Sequence, residues 1–139
     1  MAQASAAIDV PVPPDDVWQL IGGFGSLPDW LPYITKSELG EGGRVRHLEN
    51  PGGDTIVERL VAFDSATRSY SYAILRSPFP VTDYLSTLHV RADGGTGSRV
   101  EWSGEFTPVG VSDQEASQLF QQIYADGLHA LAARFAPKK

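Results

Sequence analysis

The sequence predicts an α+β fold: a seven-stranded antiparallel sheet, two short helices after the first strand, and a long C-terminal helix wrapped by the sheet. Three observations predict it. From Ser112 to Phe135, apolar or small residues fall at Ala116, Leu119, Phe120, Ile123, Tyr124, Gly127, Leu128, Leu131, Ala132 and Phe135, an unbroken i, i+3, i+4, i+7 stripe. From Ile34 to Thr107 the hydrophobic period is two, interrupted by turn chemistry. Between the first strand and that region, proline and glycine bracket two short helical stretches. A helix with so broad an apolar stripe needs a wide apolar surface, and here a curved sheet supplies it. Such an arrangement leaves a hollow between helix and sheet.

Each element has a local reason. Residues 3–10 read as a strand ending at Pro11. Pro13-Pro14-Asp15-Asp16 opens a helix, with acidic residues suited to its N-terminal dipole. Val17, Trp18, Leu20 and Ile21 form its apolar side, and Gly22-Gly23 and Gly25 stop it. One more helical turn fits around Asp29-Trp30-Leu31, before Pro32. Strands are expected near 34–39, 43–49, 54–63, 68–76, 81–92 and 97–107. Their separators are Gly42-Gly43, Pro51-Gly52-Gly53, Asp64-Ser65-Ala66-Thr67, Ser77-Pro78-Phe79-Pro80 and Asp93-Gly94-Gly95. Pro108 and Gly110 detach the final helix, which opens with a capping box, Ser112 and Glu115.

Composition bounds the function. A chain of 139 residues is read as one domain, 1–139, long enough for a real core. Its apolar content of 42% is ordinary, and its net charge of −6 argues against nucleic acid and anionic membranes as partners. Without cysteine there is no disulfide and no thiolate metal site, which is compatible with a cytoplasmic location. The N-terminus lacks the basic and apolar regions of a signal peptide, and no stretch approaches the ~20 apolar residues of a membrane span.

The candidate chemistry lies on the sheet's inner face. Glu58 shares a strand side with Ile56, Leu60 and Ala62, so it is a cavity-wall carboxylate, its pKa raised by desolvation, or a structural partner of Arg59, Arg76 or another cation, or simply exposed at the sheet's edge. Tyr70, Tyr72 and Ile74 share one face, as do Tyr84, Ser86, Leu88 and Val90. Tyrosines there give an apolar wall with hydroxyls to orient a ligand oxygen, or plain core packing. Alternation through Val100, Trp102, Gly104 and Phe106 points that set inward and leaves Glu101 in solvent. On the long helix Phe120 and Tyr124 face cavity or core. His47, His89 and His129 stand apart, without the spacing of a zinc site, so no metal is expected. Gly22-Gly23-Phe24-Gly25 follows a helix and lacks the third glycine of a dinucleotide loop, so no cofactor is expected either.

Several motifs carry a resemblance. Ile8-Asp9-Val10-Pro11, Val17-Trp18-Gln19-Leu20-Ile21 and Trp30-Leu31-Pro32 resemble bacterial polyketide cyclase/dehydrase and lipid-transport proteins. Glu58-Arg59-Leu60 and Tyr84-Leu85-Ser86-Thr87-Leu88-His89 resemble two strands of the plant abscisic-acid receptors. All belong to the START-like, or helix-grip, superfamily (SRPBCC), and the likeness spans nearly the whole chain. It implies an internal cavity with Trp30 closing one end, and it points Glu101 towards the pocket, one residue of register from what alternation gives. The receptors' gate and latch loops correspond here to Asn50-Pro51-Gly52-Gly53-Asp54 and Phe79-Pro80-Val81, and their pocket lysine to Leu31, so an acidic hormone is not implied.

The expected function is binding or carriage of a small hydrophobic molecule such as a polyketide, lipid, sterol or aromatic compound. The expected lining is Trp30, Glu58, Tyr72, Ile74, Phe79, Tyr84, Ser86, Phe106, Phe120 and Tyr124. The alternative is a cofactor-free cyclase, aromatase or dehydratase with Glu58 or Tyr84 as general acid or base.

Overall fold

The computed structural model describes residues 2–31, 33–93 and 97–135. Pro32 and the Gly94-Gly95 turn lie outside the described residues. The elements are β1 (Ala2–Val10), α1 (Pro14–Ile21), α2 (Leu27–Trp30), β2 (Lys36–Gly40), β3 (Val45–Glu49), β4 (Thr55–Asp64), β5 (Ser69–Arg76), β6 (Val81–Ala92), β7 (Ser98–Pro108) and α3 (Asp113–Arg134). A single 3-10 turn, Glu41–Gly43, joins β2 to β3. The sheet is antiparallel throughout, in the order β1-β7-β6-β5-β4-β3-β2.

The order follows from the turns. Hairpins carry the chain from β2 to β7 without a crossover, and β1 then pairs with β7 over its whole length, from Ala2 opposite Phe106 to Val10 opposite Ser98. The result is the helix grip. α3 is 22 residues long, about 33 Å at ~1.5 Å per residue, enough to cross the sheet. It starts with both capping-box bonds, Glu115 N donating to Ser112 Oγ at 3.0 Å and Ser112 N to Glu115 Oε1 at 3.2 Å. Its stripe is buried at Ala116, Phe120, Tyr124, Gly127, Leu128 and Leu131. Gly127 is there for room: a Cβ on it would stand 2.7 Å from Leu31 Cδ1 and 2.9 Å from Trp102 Cζ3.

The register shifts at three places, the first between Val57, opposite Arg76, and Glu58, opposite Ile74. The β4–β5 register shifts between Leu60 and Ala62, so Val61 is an extra residue. The expected run Ile56, Glu58, Leu60, Ala62 is therefore broken. Ala62 turns outward, and Phe63, opposite Tyr70, takes the inner side, where it meets Trp18 at 5.6 Å between ring centroids. In β6 the register shifts between Thr82 and Leu85, with Asp83 at a φ of 53°. Beyond that bulge Tyr84, Ser86, Leu88 and Val90 all point inward and are buried.

Candidate functional site

Facing α3, the sheet presents two differently built polar clusters. On β3 and β4, Arg46 stands opposite Glu58 in register, and both are buried. Arg46 Nε donates to Glu58 Oε1 at 2.8 Å, and Nη2 lies 2.7 Å from the same oxygen. Nη1 donates to the Phe24 carbonyl at 3.0 Å and approaches the Tyr70 hydroxyl at 3.5 Å. The guanidinium also lies over aromatic rings, 4.2 Å from the Phe24 centroid and 4.7 Å from that of Tyr72. Burial raises the Glu58 carboxyl above its ordinary range, while the Arg46 charge and hydrogen bond pull it back down. Arg46 is held above its ordinary value: burial is the largest single influence and opposes this, and the Glu58 charge together with Tyr70 and Tyr72 outweighs it. The contacts of 2.8 and 2.7 Å make the two a buried ion pair, which is the structural-partner reading of Glu58 with a cation other than Arg59 or Arg76.

On β5, β6, β7 and α3 the polar groups are neutral. Trp102 Nε1 donates to Tyr72 OH at 3.1 Å and to Ser86 Oγ at 3.0 Å. Ser86 Oγ donates to the Ser103 carbonyl at 2.7 Å and receives Tyr124 OH at 3.5 Å. Tyr84 and Tyr124 are joined hydroxyl to hydroxyl. Gly104 makes this possible, because any Cβ there would collide with the Tyr124 hydroxyl. Burial lifts the phenols of Tyr72 and Tyr84 well above 10.0, and that of Tyr124 to about 12.

Between these clusters and α3 lies a narrow cavity of about 40 Å³, room for a water molecule or two. Of the expected lining, Glu58, Tyr72, Ile74, Phe79, Tyr84, Phe120 and Tyr124 border it. Three expected residues do not. Trp30 is buried behind Trp102, edge-on with ring centroids 5.9 Å apart; Ser86 lies under Trp102 in the hydrogen-bond network; Phe106 is covered by Tyr84 and Phe120, at 5.8 and 4.7 Å. Trp102 borders the cavity, and Glu101 sits on the outer face within reach of Arg91, Arg99 and His89, as alternation requires. Arg46, Leu31, Tyr33, Ile56 and Ile123 also border it.

The cavity continues into a shallow apolar groove of about 160 Å³ between Leu31, Tyr33, Ile123, Asp126 and Gly127. Leu31, Tyr33 and Ile123 belong to both, so this is the mouth. The flanking loops are braced. Asn50 Nδ2 donates to Tyr33 OH at 3.1 Å and Asp54 Oδ2 at 3.2 Å, and Phe79 rests on Phe120 at 5.2 Å.

Among the described residues no three His, Asp or Glu side chains come together as a metal site would require. Among the described residues no helix is long and apolar enough to cross a membrane.

Comparison with known proteins agrees with this geometry. Residues 1–136 match the family model described as polyketide cyclase / dehydrase and lipid transport. The protein XoxI from Bacillus cereus is 58% identical, over 97% of this chain and 96% of that one, with a TM-score of 0.95. An uncharacterised Bacillus thuringiensis protein is 56% identical, over 96% of this chain and 98% of that one, also with a TM-score of 0.95. The Zhui aromatase/cyclase from Streptomyces sp. R1128 shares the fold at a TM-score of 0.79, with 18% identity over 95% of this chain and 92% of that one. The chain belongs to the polyketide cyclase / dehydrase and lipid transport family.

Proposed function

We propose that this member of the family binds a small, largely apolar molecule, aromatic or polyketide-like, between the sheet and α3. The observation that carries the reading is the lining: Leu31, Ile56, Ile74, Phe120 and Ile123 around a few convergent polar groups, the usual make-up of a small-ligand site. The narrowness of the cavity bears on how binding occurs. A ring larger than a water or two requires Ile123 at the mouth and Phe79 on the cavity wall, both half-buried, to move aside. Binding is therefore accompanied by local opening of the mouth while the sheet stays rigid.

Acid–base catalysis by Glu58 and Tyr84 has less support, because Glu58 is engaged by Arg46 and the Tyr84 phenol is reluctant to ionise. Glu58→Gln would abolish turnover of a cyclised substrate under that reading and only retune affinity under ours. A cytoplasmic location, compatible with the absence of cysteine, is part of the same proposal, and recovery in the membrane fraction of lysed cells would count against it.

The experiment is a thermal-shift titration with sterols, fatty acids, flavonoid-like aromatics and polyketide analogues. A saturable rise in Tm for one class is expected, since a ligand that binds only the native state stabilises it. No rise across the panel would remove the reading.

A further inference from the structure

The hydrogen-bond valences left over on the cavity wall carry a statement about the ligand's polar end; it rests on the binding reading above. Both Arg46 contacts to Glu58 converge on one oxygen, Oε1. Among the described residues Oε2 has no hydrogen-bond donor, yet the only sealed polar side-chain atoms lacking a partner are Trp30 Nε1 and Ser37 Oγ. Oε2 is therefore not sealed, and Glu58 borders the cavity, so this oxygen is presented there as an unused acceptor.

The neighbouring strand presents the complementary group. Ser86 gives its one proton to the Ser103 carbonyl, and both its lone pairs are taken, by Trp102 Nε1 and Tyr124 OH. Tyr72 OH receives the Trp102 proton and lies beside Ser86 Oγ, whose lone pairs already receive Trp102 and Tyr124, so the Tyr72 proton can turn to the cavity. Tyr72 also borders the cavity. Because Glu58 faces Ile74 and Leu60 faces Tyr72, Glu58 and Tyr72 are diagonal neighbours on one face, about 7 Å apart.

We propose that Glu58 and Tyr72 select the ligand's functional group: a neutral hydroxylated ring system that donates a hydroxyl to Glu58 Oε2 and, through a second oxygen, accepts from Tyr72 OH. The same geometry rejects carboxylates. Arg46 offers no spare charge, since its Nε and Nη2 meet Glu58 and its Nη1 meets the Phe24 carbonyl and Tyr70. An anionic headgroup would meet the free side of a second carboxylate.

The test is calorimetric titration of the intact protein with naphthalene, 2-naphthol and 2-naphthoate. These probes share one ring system and differ in the group offered to Glu58. The expected order is 2-naphthol tightest, by about tenfold over naphthalene, the usual scale of one hydrogen bond to a charged acceptor, with 2-naphthoate the weakest. 2-Naphthoate binding as tightly as 2-naphthol would overturn the assignment while leaving the cavity a ligand site. Failure of all three, naphthalene included, would remove the binding reading itself. The control is a double substitution, Arg46→Met with Glu58→Leu, which leaves no buried charge behind. It should still bind naphthalene and should lose the preference for 2-naphthol to within about twofold. A preference that survives the double substitution would also overturn the assignment. Tyr72→Phe should keep the rejection of 2-naphthoate and weaken 2,3-dihydroxynaphthalene more than 2-naphthol, because only the former brings a second oxygen.

Discussion

The β3–β4 side of the interior holds a guanidinium and a carboxylate, whereas the β5–β7 side holds three phenols, an indole and a serine hydroxyl without a formal charge among them. Both sides are buried, and both satisfy most of their polar atoms within the protein. They differ in what happens when one member is removed. A hydroxyl network loses one bond and closes up or takes in water. An ion pair that loses one partner strands a charge in a medium that cannot solvate it. The ionic side is thus the costlier one to alter singly, and it is also the side that offers a charged acceptor to the cavity.

Substitutions can break or sharpen that contrast. The largest expected effect is on the ionic side. Arg46→Gln or Glu58→Gln alone should lower stability by about 3–5 kcal/mol, measured by chemical denaturation, whereas the apolar double substitution should cost far less. Equal losses for the single and double variants would show that packing, not stranded charge, sets the cost. Next come the two glycines against which the neutral side is packed. Gly104→Ala should cost about 1–3 kcal/mol by overpacking, because the new methyl displaces the Tyr124 hydroxyl. Gly127→Ala meets Leu31 and Trp102, and should cost less because alanine also favours the helix. Loss of a single hydroxyl is smaller still. Tyr124→Phe should cost about 1 kcal/mol, and a loss as large as that of Glu58→Gln would erase the distinction between the two sides.

The pH dependence separates the sides in another way. Folding raises all three phenols, Tyr124 from 10.0 to about 12 and Tyr72 and Tyr84 well above 10.0, mainly through burial. An acid whose folded value is raised contributes stability that is fully present below its unfolded value and is lost as pH rises through its folded one. Stability should therefore hold up to about pH 10 and decline towards pH 12, and Tyr124→Phe should make the decline shallower. Denaturation midpoints at several alkaline pH values measure this, and a decline equally steep without Tyr124 would place its origin elsewhere.

The two sides were also unequally legible in the sequence. Alternation placed Tyr72, Tyr84, Ser86 and Trp102 inward, and all are buried. The long helix and its capping box followed from periodicity and local chemistry alone. Arg46 went unnoticed, although a signal existed: it shares parity with Leu48, and a hairpin about Pro51–Gly53 sets it opposite Glu58. A lone arginine in a strand reads as solvent-facing until its partner across the hairpin is considered. Ala62 was misplaced for a different reason. The extra residue at Val61 leaves no mark in the hydrophobic pattern, yet it reverses every side chain beyond it. Trp30, Ser86 and Phe106 were expected at the cavity, but the sequence could not show which inward residues form the first layer and which the second.

The most direct test of a ligand site between sheet and α3 is an NMR titration of the methyl-labelled protein with 2-naphthol. The account predicts shifts concentrated at Leu31, Ile56, Ile74 and Ile123, around the cavity and its mouth, with Leu75 and Leu85 on the exposed surface unmoved. Shifts confined to Leu75 and Leu85, or no saturable shift at the four cavity residues, would contradict it.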